Sequence, residues 1–213
     1  MMRDEMWEEA ARVVRGDVRS LLSVRADLER RWSEPHRGYH DLRHLDEVVV
    51  ALVELRGSTL DTDAEWAGVV FAAWFHDAVY DVAEPGENEG RSSELARNAL
   101  SESGIRDDVV RLTCALVEAS ATHHVAESRG PQAAFHDADL WILGAPPERF
   151  DDYCADVRRE YAAVPDDAYA EGRGAILRPF LARESIYRSE HARHHWEPAA
   201  RENLHRELAR LTR

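Results

Sequence analysis

The chain has 213 residues, 44% hydrophobic and 32% charged, proportions that exclude wholesale disorder and suit one folded domain. Its net charge of −14 with neutral histidines argues against a groove for long nucleic acid, which needs clustered Lys and Arg. A small anionic substrate is not excluded, because a bound divalent cation inverts the local field of a pocket.

In chain order the apolar residues recur with helical spacing almost throughout. Val18, Leu21, Leu22, Leu28 and Trp32 share one helix face, and Glu34-Pro35 stops that helix. Leu42, Leu45, Val48, Val49, Leu52 and Val53 form the next stripe. Gly57-Ser58-Thr59 is expected to separate it from a helix that Asp63 caps. The longest apolar run, Ala67 to Phe75, is too short to span a bilayer. Glu84-Pro85-Gly86-Glu87-Asn88 reads as a turn, and Ser103-Gly104 ends the helix after it. Val109, Leu112 and Leu116 mark another helix. Gly130-Pro131 and Ala145-Pro146-Pro147 are loops; Tyr153, Val157, Tyr161 and Val164 form a stripe; Pro165-Asp166-Asp167 starts a helix. Pro179 is expected to kink or split its helix, and Pro198 to open the last one, which carries Leu204, Leu208 and Leu211. The expected fold is all-α. A single domain spans 1–213, with its core at about 32–145, a helical extension at 146–213 and further N-terminal helices. Cys114 and Cys154 form no CxxC pair, and no basic stretch leads into an N-terminal apolar run, so the expected compartment is cytoplasmic.

Three segments carry candidate chemistry. His40 and His44 lie four apart and would share a face if helical, the alternative being a solvated helix start. Phe71 to Asp81 is apolar except for His76, Asp77, Tyr80 and Asp81. A carboxylate in such a setting is costly unless paired or bound to metal, so a buried His–Asp pair and a metal site are the two readings. In Phe135-His136-Asp137-Ala138-Asp139-Leu140 two carboxylates lead into an apolar segment. Asp137 suits a helix cap, and the two point to opposite sides, so at most one is a ready ligand. Together, imidazole nitrogen and carboxylate oxygen form a ligand set that suits Mn, Fe, Co, Ni or Zn without choosing among them.

The ordered His44, His76-Asp77, Asp139 constellation resembles the HD superfamily. More closely, the chain resembles the small predicted metal-dependent HD phosphohydrolases. That likeness runs through Arg37-Gly38-Tyr39-His40, Phe75 to Asp81, Asn88-Glu89 with Ser92-Ser93, and Asp137 to Gly144. It continues through Arg158-Arg159-Glu160-Tyr161, Gly172-Arg173, Ile186-Tyr187 and Ala200 to Leu204. The resemblance implies that His44, His76, Asp77 and Asp139 ligate a divalent metal (Mn, Fe, Co, Ni, Zn or Mg). It also implies a helical bundle and hydrolysis of a phosphoester. His136 stands where an apolar residue is expected and reads as surface drift or as an extra polar contact near the site. His123 and His124 read as a helix C-terminus or as spare ligands for a second metal.

The expected mechanism uses metal-activated water, the water's pKa falling from about 15.7 toward roughly 7. Asp77 orients the nucleophile. His40 is a candidate general acid or supporting group beside the ligands, and Glu89 is a candidate acid/base group or a helix-start carboxylate serving the dipole. Arg37, Arg173 and Arg201 are the candidate substrate clamps, since the guanidinium fork matches phosphate oxygens; each also reads as a surface ion pair. The expected partner is a small phosphorylated substrate, nucleotides included, with no long nucleic acid and no membrane; a homodimer is left open. Two rivals are a non-catalytic nucleotide-binding HD module and a di-iron HD oxygenase drawing on His123, His124 and Asp81. A plain helical interaction protein is a third, and it requires three separate coincidences.

Overall fold

A computed structural model describes residues 2–212, apart from the Pro85 side chain. It is all-helical, with no strand among the described residues. The helices are α1 (Met2–Val13), α2 (Val18–Trp32), α3 (Leu42–Thr59), α4 (Asp63–Phe75), α5 (Asn88–Glu102), α6 (Asp107–Ser120), α7 (Pro131–Asp139), α8 (Pro147–Glu160), α9 (Asp166–Ala182), α10 (Glu190–His195) and α11 (Glu197–Leu211). Short 3-10 turns cover Pro85–Glu87 and Leu140–Gly144. No described helix is long and apolar enough to cross a membrane.

The organising element is α4. Every residue from Trp66 to Phe75 is buried, so this helix has no solvent face and must be enclosed on all sides. Helices α1, α3, α5, α6 and α7 pack around it. Its start is fixed by a capping box: Thr62 accepts from the Glu65 amide while Glu65 reaches back to the Thr62 amide. Thr62 is thus the cap, and the expected cap Asp63 is the first helical residue. Helix α1 lies outside the expected core span, yet its Trp7 is buried edge-on against Phe71 and Trp74. At the other end of the chain, α11 packs on the Leu140–Gly144 turn and on α9.

Several boundaries differ from expectation for local reasons. Gly57-Ser58-Thr59 does not separate helices. It completes α3, where Ser58 and Thr59 bond back to the Leu55 carbonyl. Helix α9 runs unsplit through Pro179, which sits in its last turns and so removes few ladder bonds. Pro198 is the second residue of α11, where its missing N–H costs nothing. Val18, Leu22 and Val53 face solvent, whereas Leu21, Leu28, Trp32, Leu45, Val48, Val49 and Leu52 of the same stripes are buried. Gly104, with φ of 71°, ends α5 in the left-handed region.

Candidate metal centre

Two helix ends and one turn bring the ligand atoms together. Helix α4 stops at Phe75, so His76 is its C-cap and Asp77 begins the turn beyond. That turn is held by the next helix: Asn88 Oδ1 accepts from the Asp81 amide, and Ser92 Oγ accepts from the Val79 amide. His44 lies in the first turn of α3, capped by Asp41, which accepts from the Arg43 and His44 amides. Asp139 is the last residue of α7.

His44 Nε2 and His76 Nε2 are 3.2 Å apart, and each is 3.4 Å from Asp139 Oδ1. Asp77 Oδ2 lies 3.2 Å from His76 Nε2 and 3.9 Å from His44 Nε2. The His44, His76 and Asp139 ligand atoms fall within 4.8 Å of one another, all on buried residues, and could hold a metal ion.

The surroundings prepare these nitrogens. His76 Nδ1 donates to the Ala73 carbonyl at 2.9 Å, which in the neutral ring leaves the Nε2 lone pair facing the cluster. His44 Nδ1 meets the Tyr39 hydroxyl at 2.8 Å, and with Nδ1–H donating its Nε2 is likewise free. Two ring nitrogens at this separation repel unless a proton or a cation lies between them, and with neutral rings the two carboxylates leave a formal charge of −2. Donor type, convergence and charge all fit a divalent cation.

The cluster is electrostatically coupled. Burial alone would push His76 down, but the facing Asp77 and Asp139 carboxylates outweigh it and hold the imidazole well above its usual range. Burial likewise opposes the charge on Asp77 and Asp139. His76 overcomes it in both, aided by His40 at Asp77 and by His44 at Asp139, and keeps both carboxyls far below the ordinary carboxylate range.

The cluster lines one side of a cavity of about 660 Å³. His40, Glu89, His123 and Arg173 line it as well. His40 is not on a helix with His44; it lies in the turn before α3, and its position comes from Glu160. His40 Nδ1 donates to Glu160 Oε2 at 2.8 Å, leaving Nε2 4.0 Å from Asp77 Oδ2. Glu160 Oε1 accepts the amides of Gly38, Tyr39 and His40 at 2.8–2.9 Å, and Oε2 also accepts the Tyr80 hydroxyl. Burial opposes its charge, but these donors prevail and hold the carboxyl down at about 2.

Glu89 is the second residue of α5 and is half-buried; burial raises its pKa, with Asp77 adding to the effect. His123 lies past the end of α6, with φ of 49° and Nε2 3.9 Å from Asp139 Oδ2. His124 is exposed and Asp81 turns its carboxylate to the Ala83 amide, so of the three spare ligands only His123 faces the cluster.

Two arginines expected to clamp substrate are spent elsewhere. The Arg37 side chain is fully enclosed and donates to the carbonyls of His40, Asp77 and Ala78 and to Glu34, tying the two histidine-bearing turns together. Arg201 donates to the carbonyls of Leu181, Arg183 and Glu184, closing the end of α9. Neither lines the cavity; Arg173 does.

Asp137 does not cap its own helix. It is fully buried and accepts from the Arg188 amide, the Ser189 amide and the Ser189 hydroxyl, which pins the segment before α10. Burial still raises its pKa to about 6. His136 is not surface drift either: it is 3% exposed, bonds the Ile186 carbonyl at 3.1 Å, and is pushed down to about 3 by burial.

Glu160, Tyr39, Asn88 and Ser92 fall within the stretches that carry the HD likeness, but sequence reasoning assigned none of them a role. Apart from that likeness, the trace of Glu160 in the sequence is an acid at a helix C-terminus, where the dipole disfavours it unless donors converge there. Gly38 has a comparable explanation: a Cβ there would meet the Asp156 carbonyl oxygen at 2.3 Å and Glu160 Cγ at 2.9 Å. Gly38→Ala should therefore lower the unfolding free energy by about 1–3 kcal/mol in urea titration, since backbone must move to admit the methyl.

No family model, no curated protein and no solved structure matches this chain.

Proposed function

We propose that this chain is a metal-dependent phosphohydrolase of the HD type, cleaving a small phosphoester or nucleotide with activated water. The observation that carries the reading is the meeting of His44, His76 and Asp139, with Asp77 beside them, on the wall of a ligand-sized cavity. These four residues would hold the cation. The imidazole and carboxylate donors suit Mn, Fe, Co, Ni or Zn, with Mg a weaker match.

When bound, a divalent cation supplies Lewis acidity, lowering the pKa of water toward roughly 7 and offsetting phosphoryl charge. The protein's own groups do the rest. Asp77 stands between the cluster and His40, placed to orient the attacking water. His40 has its Nδ1 proton committed to Glu160, so Nε2 is the atom that holds or delivers a proton on the cavity side. Glu89 faces the same cavity, and its raised pKa suits a group that carries a proton closer to neutrality than an ordinary carboxyl. The two free, buried cysteines, Cys114 and Cys154, fit a reducing cytoplasmic setting.

The test is to measure the metal content of the purified protein and to screen phosphomonoesters and nucleotides with added Mn, Co, Ni, Zn and Mg. The expected result is turnover that depends on cation and disappears with chelator. A protein that takes up no cation and cleaves no phosphoester under any of these conditions refutes the proposal.

A further inference from the structure

Arg173 lies inside α9 and is 8% exposed, and its Nε and Nη2 are buried with no hydrogen-bond partner. Each of the other buried arginines meets a carboxylate, Arg3 with Asp46, Arg37 with Glu34 and Arg149 with Glu47, although Arg149 Nη1 is also unmet. Tyr153 interacts with the guanidinium, but two buried donors remain unmet and no carboxylate pairs with it; such a group is costly, and a ligand can complete it.

Its position says which ligand. The guanidinium carbon lies 4.8 Å over the Tyr153 ring; Tyr153 meets Tyr39 at 4.5 Å, and Tyr39 meets His44 at 4.6 Å. Two tyrosine rings therefore separate the cation from the His/Asp cluster, along a cavity that both line. The cavity wall is mostly apolar, with Val157, Val164, Ala168, Leu177 and Phe180, and Tyr161 and Tyr169 add two phenolic hydroxyls.

We propose that the substrate is a phosphoester carrying a second anionic group, carboxylate or phosphate, on an apolar body, and that Arg173 receives that second group. This rests on reading the His/Asp cluster as the phosphoester site. In the present conformation the guanidinium lies against Tyr153, and a turn of its terminal torsions exchanges that stack for the anion. The bidentate fork of arginine suits either oxyanion.

The test compares non-hydrolysable probes by calorimetry on the full chain supplied with Mn²⁺: phenylphosphonate, 4-carboxyphenylphosphonate and 1,4-phenylenediphosphonate. All share one phosphonate and one ring, so differences between them read the second anion alone. Wild type should bind at least one of the two probes that carry a second anionic group about tenfold or more tightly than phenylphosphonate. The stronger of the two distinguishes a carboxylate substrate from a second phosphate.

Arg173→Met keeps the packing and removes the donors. It should bring the three probes within about twofold of each other without lowering Tm, whereas a purely structural arginine would lower it. Equal binding of all three probes by wild type, which needs no variant, or a preference that survives in Arg173→Met, overturns the inference. Turnover of the phosphomonoesters and nucleotides screened above is followed in parallel. Preference with no turnover of any of them leaves Arg173 as the second-anion site and removes the hydrolase reading; turnover without preference does the reverse.

Discussion

Asp77→Ala and Asp139→Ala should each strip the protein of its divalent cation and cut phosphoester turnover by at least a factor on the order of 10² to 10³. Each carboxylate supplies half of the formal −2 charge that the cluster presents when its imidazoles are neutral. Each also lies within 3.2–3.4 Å of His76 Nε2, so its removal takes away a donor and half of the field at once. Metal analysis of the dialysed variants and turnover with saturating Mn²⁺ are the two measurements. Asp137→Asn is the informative control. It stands two residues from Asp139 but spends both oxygens on the Arg188 and Ser189 donors. It should keep wild-type cation stoichiometry while losing about 1–3 kcal/mol of stability, the usual consequence of weakening buried hydrogen bonds to a charged acceptor. An Asp77→Ala protein that retains both cation and full turnover would remove Asp77 from the ligand set and from the mechanism, leaving His44, His76 and Asp139 as the group that holds the ion.

Glu160→Gln should reduce stability by about 3 kcal/mol at neutral pH, and the gap to wild type should close in acid. The Glu160 side chain is 0% exposed, so little solvent screening discounts its interactions. Its folded-state pKa is held down at about 2 against an ordinary 4.5. A depressed carboxyl contributes stability that is fully present above its unfolded value and lost as pH falls through its folded value. The window is therefore from about 4.5 down to about 2, and urea titrations at pH 7, 5, 4 and 3 should trace it. The amide isostere keeps one acceptor for the Gly38, Tyr39 and His40 amides but places N–H donors where His40 Nδ1 and Tyr80 donate. Activity should fall with stability, because the same carboxylate sets the orientation of His40. A stability gap that stayed constant down to pH 3 would show that the charge of Glu160 is not what holds the turn.

Much of the site was legible because its residues break the local pattern. His76 and Asp77 end a segment that is otherwise apolar, and Asp139 sits in another. A charge in such company has to be compensated, and that necessity is readable from one strand of letters. The helices were legible for a related reason: one apolar face every three or four residues has no other stable arrangement. Boundaries were less legible where side chains cap locally, as at Thr62 with Glu65 and at Ser58 and Thr59, because the choice between adjacent hydroxyls and carboxylates depends on geometry of a few tenths of an ångström.

Sequence alone determined the all-helical class, since periodicity is a property of neighbours along the chain. The cost of burying charge pointed to His76-Asp77 and to one of Asp137 and Asp139, and the likeness to the HD superfamily is what put His44, His76, Asp77 and Asp139 forward as one set. Tertiary structure alone decided how the arginines are used. Arg37 and Arg201 close on backbone carbonyls, while Arg173 is left open in the cavity wall. It also decided that Glu160, some 120 positions from His40, would orient that histidine. A guanidinium or carboxylate carries the same chemistry wherever it falls in the sequence; which acceptors or donors come within 3 Å of it is fixed only when distant helices pack.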